Sequence, residues 1–409
     1  MTGKCMPSGA LLLGVLLLPP VVLAETSLRS EQGGTGAVTA PVTEEDQWLL
    51  GEGERIEVDP ELINSVWQPV PFQTRYFDIP EDQLEARWPA LMRGLLIPYP
   101  SAEYLRVRIE RFEDLRAELG PDFDGDYERL SGEILHAWRL FLRGDLRAAK
   151  DHGMKLGAYG KVPAYFAQII QAVYLTRSNA EKHQMLQDAA DQVARYVKVL
   201  KEMRGDPQFE QDYMMLRLGY AYAIARIAED VSPMVAIGRN YLFKISSAAN
   251  DVLDVHERHP VGLAFRAGID ANLIRVMGKA AGRLTFGARQ GRAREYFEAS
   301  FAEVSDIAII HYEFANALLY MNKSRDAREM MDHLNRAQSI PPTFAMEALD
   351  SMYAAKRLRE VEDFLRYGKS FRSYERARRR YVRETDENLY SVLRPPFLLT
   401  AEVQQVGSR

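Results

Sequence analysis

The chain has 409 residues, 27% charged and 47% hydrophobic, with a formal net charge of −5 at pH 7. That balance argues against a nucleic-acid binder, which carries a strongly basic face, while the length suits either two ordinary domains or one extended repeat array. The only cysteine is Cys5, so the body of the chain has neither a disulfide framework nor a cysteine-built metal centre.

Residues 1–24 read as an export signal. Lys4 supplies the positive start, Ala10 to Leu18 the short apolar core, and Val22 and Ala24 the small-residue site before Glu25. The core is too short and too broken by Pro19-Pro20 to span a bilayer. Cleavage near Ala24 would release a periplasmic or secreted protein with no integral membrane span. Residues 25–47 are rich in Gly, Thr and Ser and hold almost no large apolar side chain, so they are expected to be a disordered linker.

Residues 48–126 crowd aromatics (Trp48, Trp67, Phe72, Tyr76, Phe77, Trp88) among prolines that forbid a long helix. They are expected to form an N-terminal cap with a short helix over 80–96, laid on the first repeat. Ser101 to Leu119 has Tyr104, Val107, Phe112 and Leu115 at helical spacing and predicts one amphipathic helix. Asp122, Asp124, Asp126 and Glu133 occupy positions one, three, five and twelve of a calcium-loop template, but Tyr127 stands where the sharp turn needs glycine. The expectation is therefore a turn in which Asp124 or Asp126 caps the next helix, with no calcium requirement.

From Tyr127 the pattern is helical throughout, with breaks at Gly144-Asp145, Gly205-Asp206-Pro207 and Ser232-Pro233. Small residues recur where one helix must approach its partner closely: Ala137, Ala172, Gly219, Gly268 and Ala315 are separated by 35, 47, 49 and 47 residues. The Met215-x2-Leu218-Gly219-x2-Tyr222 segment is the closest copy of the tetratricopeptide pattern. His311-x2-Phe314-Ala315-x2-Leu318, Ala327-x3-Met331 and Pro341 form a second. The expected fold is all-α, a tetratricopeptide-like solenoid of helical hairpins over 127–367 behind the irregular cap.

His256 and His259 sit three apart in DVHERHP, which is not a zinc-protease spacing, and read as a polar helix terminus. Arg283 to Arg294 reads as an exposed basic loop between helices. Residues 368–409 are expected to be a basic helix with a tail. In that helix Arg372, Arg376, Arg379, Arg380 and Arg383 share a side. No nucleophile with a base, phosphate loop or dinucleotide fingerprint is present in the sequence, so neither catalysis nor a cofactor is expected.

His259-Pro260, RLTFG at Arg283–Gly287, and the AREYFEASF, IIHYEFANALLY and AREMMDHL helices together resemble the T-component of TRAP-type transporters, over about residues 251–364. The resemblance implies an all-helical periplasmic protein that partners a solute-binding protein. Its motifs are packing motifs. The family is often lipid-anchored, and no lipobox cysteine stands at the mature end here.

The functional expectation is a non-enzymatic exported repeat protein that binds another envelope protein through the A-helix surfaces. The candidate contacts are Tyr220, Arg275, Tyr312 and Tyr320, off the packing stripes together with Arg217, Asn272 and Asn316, and Arg376 and Arg380 on the basic helix. The alternative is a small or lipidic ligand held between the N-terminal cap and the repeats.

Overall fold

The computed structural model describes residues 56, 58–119, 123–206, 208–231, 233–322, 326–367 and 370–399. The expected export signal, the linker, Trp48 and Asp122 lie outside them. Everything described belongs to one unit, Glu45–Arg409.

The fold is all-α, as the sequence implies, and no strand occurs among the described residues. Four helices precede the repeats: α1 (Pro60–Ser65), α2 (Glu81–Leu91), α3 (Ala102–Arg111) and α4 (Glu113–Ala117). The single helix expected over 101–119 is broken at Phe112. There the backbone is extended because the ring turns inward, edge-on to Phe209 at 5.6 Å. Trp88 of α2 donates its indole N–H to the Ile97 carbonyl at 2.8 Å and meets Trp138 edge-on at 5.7 Å.

The hairpins follow. α5 (Tyr127–Arg143) is capped by Asp126, whose carboxylate accepts the Arg129 amide at 2.9 Å. It ends at Gly144, whose φ of 98° is open to glycine at little cost. α6 (Leu146–Lys155) returns against it. The next pairs are α7 (Lys161–Ile170, continuing as a π turn to Leu175) with α8 (Asn179–Val199), then α9 (Glu210–Ala228) with α11 (Tyr241–Val255). Between the last two lies α10 (Pro233–Gly238). The stretch after Ser232-Pro233, expected to be helical without a further break, is thus two helices, parted at Asn240, which adopts a left-handed φ of 54°.

α12 (Pro260–Met277) pairs with α14 (Gln290–Glu303), and α15 (Ala308–Asn322) with α16 (Ala327–Ser339). α13 (Lys279–Phe286) lies between α12 and α14 and is flanked by left-handed glycines, Gly278 at φ 83° and Gly287 at φ 65°. The expected basic loop at 283–294 is therefore mostly helical. The long α17 (Ala345–Tyr367) packs on α15 and α16 and also reaches α5, where Phe344 meets Phe141 at 6.4 Å. The basic helix is α18 (Phe371–Thr385).

The C-terminal segment packs back. Asn388 donates to the carbonyls of Val173 (3.0 Å) and Thr176 (3.2 Å) at the end of the α7 turn. The Lys356 ammonium of α17 donates to the carbonyls of Leu389 (2.7 Å) and Ser391 (2.8 Å). Tyr390, Phe397 and Leu399 are buried as a result. No helix among the described residues is long and apolar enough to cross a membrane.

Candidate functional site

α12 is apolar nearly all round. A helix of that kind cannot satisfy all its faces against one neighbour and must be covered on several sides. α14 and α15 cover two of them. On the third, α9 and α12 are splayed apart, and the gap is a cleft of about 240 Å³.

The cleft follows α12 from Val261 to Met277, a length of about 24 Å at 1.5 Å per residue. Val261, Phe265, Ile269, Leu273 and Val276 line it at helical spacing. Leu242 and Ile245 of α11 and Ile309 and Ile310 of α15 form other walls, with Phe286 of α13 at one edge. Small side chains give it depth: Ala225 and Ala228 on α9, Ala264 and Gly268 on α12. Gly268 was expected to be a close-packing position. A Cβ built on it would meet nothing within 4 Å, because it faces the gap and not a partner helix.

The polar groups of the cleft are Arg226 of α9 and Glu229 just past its end, Asn272 and Arg275 of α12, and Glu313 of α15. Arg226 forms an ion pair with Glu229 at 3.1 Å and a shorter one with Glu313, and lies over the rings of Tyr222 (4.8 Å) and Tyr390 (5.4 Å). Arg275 donates to Glu375 of α18 at 3.1 Å and to Asn272 at 3.1 Å, and covers Tyr320 at 4.9 Å. Burial works against both guanidinium charges. The neighbouring acids and tyrosines more than offset it, so both pKa values sit above the ordinary arginine value. Burial raises Glu313, opposed by Arg226. Burial would also raise Glu375, but Arg275 and Arg378 hold it below the usual carboxylate range.

The sequence-derived candidates divide. Arg275 lines the cleft, and Tyr320 lies beneath its guanidinium, outside the lining. Tyr220 and Tyr312 are buried (3% and 2% exposed) and are excluded from any open binding face. Tyr312 packs on Tyr353 of α17 at 4.6 Å. The same correction applies to Arg217, which pairs with Asp251 at 2.7 Å, and to Asn316, which accepts from Arg357 at 2.8 Å. The physical reason is that the A helices are covered on more than one side. α9 is enclosed by α7, α8 and α11, and α15 by α12, α16 and α17. Arg376 and Arg380 are exposed on α18, together with Arg372, Arg379 and Arg383.

Where the sequence pointed to a ligand pocket against the cap, there is an open depression of about 810 Å³. It lies between residues 67–75 and the turn joining α5 to α6. Its volume exceeds that of the cleft, but Gln73, Thr74, Arg75, Asp145 and Asp151 share its lining with Trp67 and Phe72, so it offers little continuous apolar surface. Among the described residues no group of three or more His, Cys, Asp or Glu side chains is placed to hold a metal ion.

Arg226, Glu229, Glu313 and the open side of Gly268 escaped the sequence reading. The available signal was the second apolar face of α12, which a single hairpin partner could not bury.

Compared with family models, curated proteins and solved structures, the chain matches none.

Proposed function

We propose that this chain is an exported, non-catalytic helical-repeat protein that carries a small apolar or amphiphilic molecule in the cleft between α9 and α12. The observation that carries the reading is the cleft itself: a deep apolar gap with convergent polar groups inside, the usual form of a small-molecule site. Its volume of about 240 Å³ suits a chain or a small ring system and not a folded peptide. The T-component resemblance is compatible, since a periplasmic ligand carrier would deliver to or receive from a transporter's solute-binding protein.

The test is Gly268→Leu. The new side chain enters open space, and leucine in place of glycine inside a helix favours folding by up to about 1 kcal/mol. The variant should therefore melt no lower than the parent while losing binding of an apolar fluorescent dye such as N-phenyl-1-naphthylamine. Undiminished dye binding in the folded variant would refute the cleft as the site.

A second reading has its own observation. Five exposed arginines along one side of α18 form a cationic surface suited to an acidic partner protein in the envelope. Reversing Arg376 and Arg380 to Glu should weaken capture of such a partner while leaving dye binding intact.

A further inference from the structure

We infer that the ligand of this cleft is electrically neutral, an aliphatic molecule whose head group carries no charge. The inference rests on the cleft being a ligand site.

The charges around the cleft's polar groups are already matched. The charged groups that line it are Arg226 of α9, Glu229 at the end of that helix, Arg275 of α12 and Glu313 of α15, two guanidiniums facing two carboxylates. Outside the lining, Glu375 of α18 pairs with Arg275 and lies beside Arg378 and the exposed Arg379. Further out, Arg357 and Glu360 form a pair of their own at 2.8 Å. Asp350, pushed up to about 8 by burial, with the Tyr174 hydrogen bond opposing and Glu347 adding, stays mostly neutral at pH 7.

An anionic head would have to displace Glu229 or Glu313 from Arg226, leaving a buried carboxylate with no partner. A cationic head would do the reverse to an arginine. An unpaired charge in a low-dielectric site is costly either way.

A neutral head does neither, so it leaves the pairs around Arg226 and Arg275 intact.

The experiment displaces the bound dye with three ligands of one chain length: myristyl alcohol, myristic acid and myristylamine. The alcohol should compete at least about tenfold better than either charged ligand. Two variants convert this preference into a charge test. Glu313→Gln leaves a guanidinium in excess and should shift preference towards the acid. Arg275→Gln leaves a carboxylate in excess and should shift it towards the amine. Should Glu313→Gln fail to fold, Glu229→Gln removes the other Arg226 partner and makes the same prediction.

Equal or stronger displacement by the acid or amine in the parent protein overturns neutrality while leaving the cleft as the site. Unchanged preference in both folded variants also overturns it. Absence of dye binding, or Gly268→Leu altering only the oligomeric state, overturns both the site and the inference, the latter outcome making a second copy the occupant.

Discussion

Acid should destabilise this fold through one buried histidine. His259 has no exposed surface and stands at the N-cap of α12. Its Nδ1 accepts the Gly262 amide at 3.1 Å, and its Nε2 faces the Leu95 carbonyl at 3.3 Å. These partners require the neutral tautomer with hydrogen on Nε2. A proton on Nδ1 would remove the cap acceptor and place a charge in the core. Burial is the main reason its pKa is pulled down from 6.5 to about 4, with the Leu95 contact opposing and His256 contributing in the same direction.

Between those values the unfolded chain binds more protons than the folded one, so stability rises with pH across that window. The contribution is fully present above about pH 6.5 and is lost as pH falls towards 4. A gap of about 2.5 units at 1.36 kcal/mol per unit bounds the effect at about 3 kcal/mol. The assay is urea unfolding at about pH 7.5 and about pH 4.5 for the parent and for His259→Asn, which can cap the helix but does not titrate. The parent should lose about 2–3 kcal/mol more than the variant on acidification. His311 and His333, also held low, occur in both proteins and cancel. Equal losses would refute the role given to His259.

Asp350 should act in the opposite direction. Burial raises it to about 8, opposed by the Tyr174 hydrogen bond, so it keeps a proton that the unfolded chain has released, and stability falls as pH rises from about 4 to 8. Asp350→Asn should gain at least about 1 kcal/mol on the parent between about pH 5 and pH 9 in thermal or urea melts. A pH-independent difference would contradict this. Ala315, 4% exposed between packed helices, should not tolerate enlargement: Ala315→Leu should cost about 1–3 kcal/mol by calorimetry, in contrast to the neutral or favourable Gly268→Leu.

The sequence by itself determined the local grammar. Proline at Pro260 with His259 before it, glycine at Gly144 and Gly287, and aspartate at Asp126 mark helix ends through short-range hydrogen bonds and backbone freedom, and each sits at or beside an observed terminus. Helical periodicity sufficed for the all-α class, and the small residues Gly219 and Ala315 marked positions packed between helices. Exposed arginines along α18 were also legible, because a cationic stripe on one helix needs no tertiary knowledge.

Only the tertiary structure decided which faces are left over. Tyr312 and Tyr320 lie on the same helix and look alike in sequence. The arrival of α17 buries the first, while Arg275 from α12 covers the second. Gly268 and Gly219 share one motif position, yet a Cβ on Gly219 would meet Ile169 at 3.8 Å and one on Gly268 would meet nothing within 4 Å. The difference is set by the splay between α9 and α12, a distance between helices that no residue's own conformational preference encodes. Ion pairs such as Arg226 with Glu313 and Arg275 with Glu375 join residues 87 and 100 positions apart, so the charge balance of the cleft exists only once the hairpins are stacked.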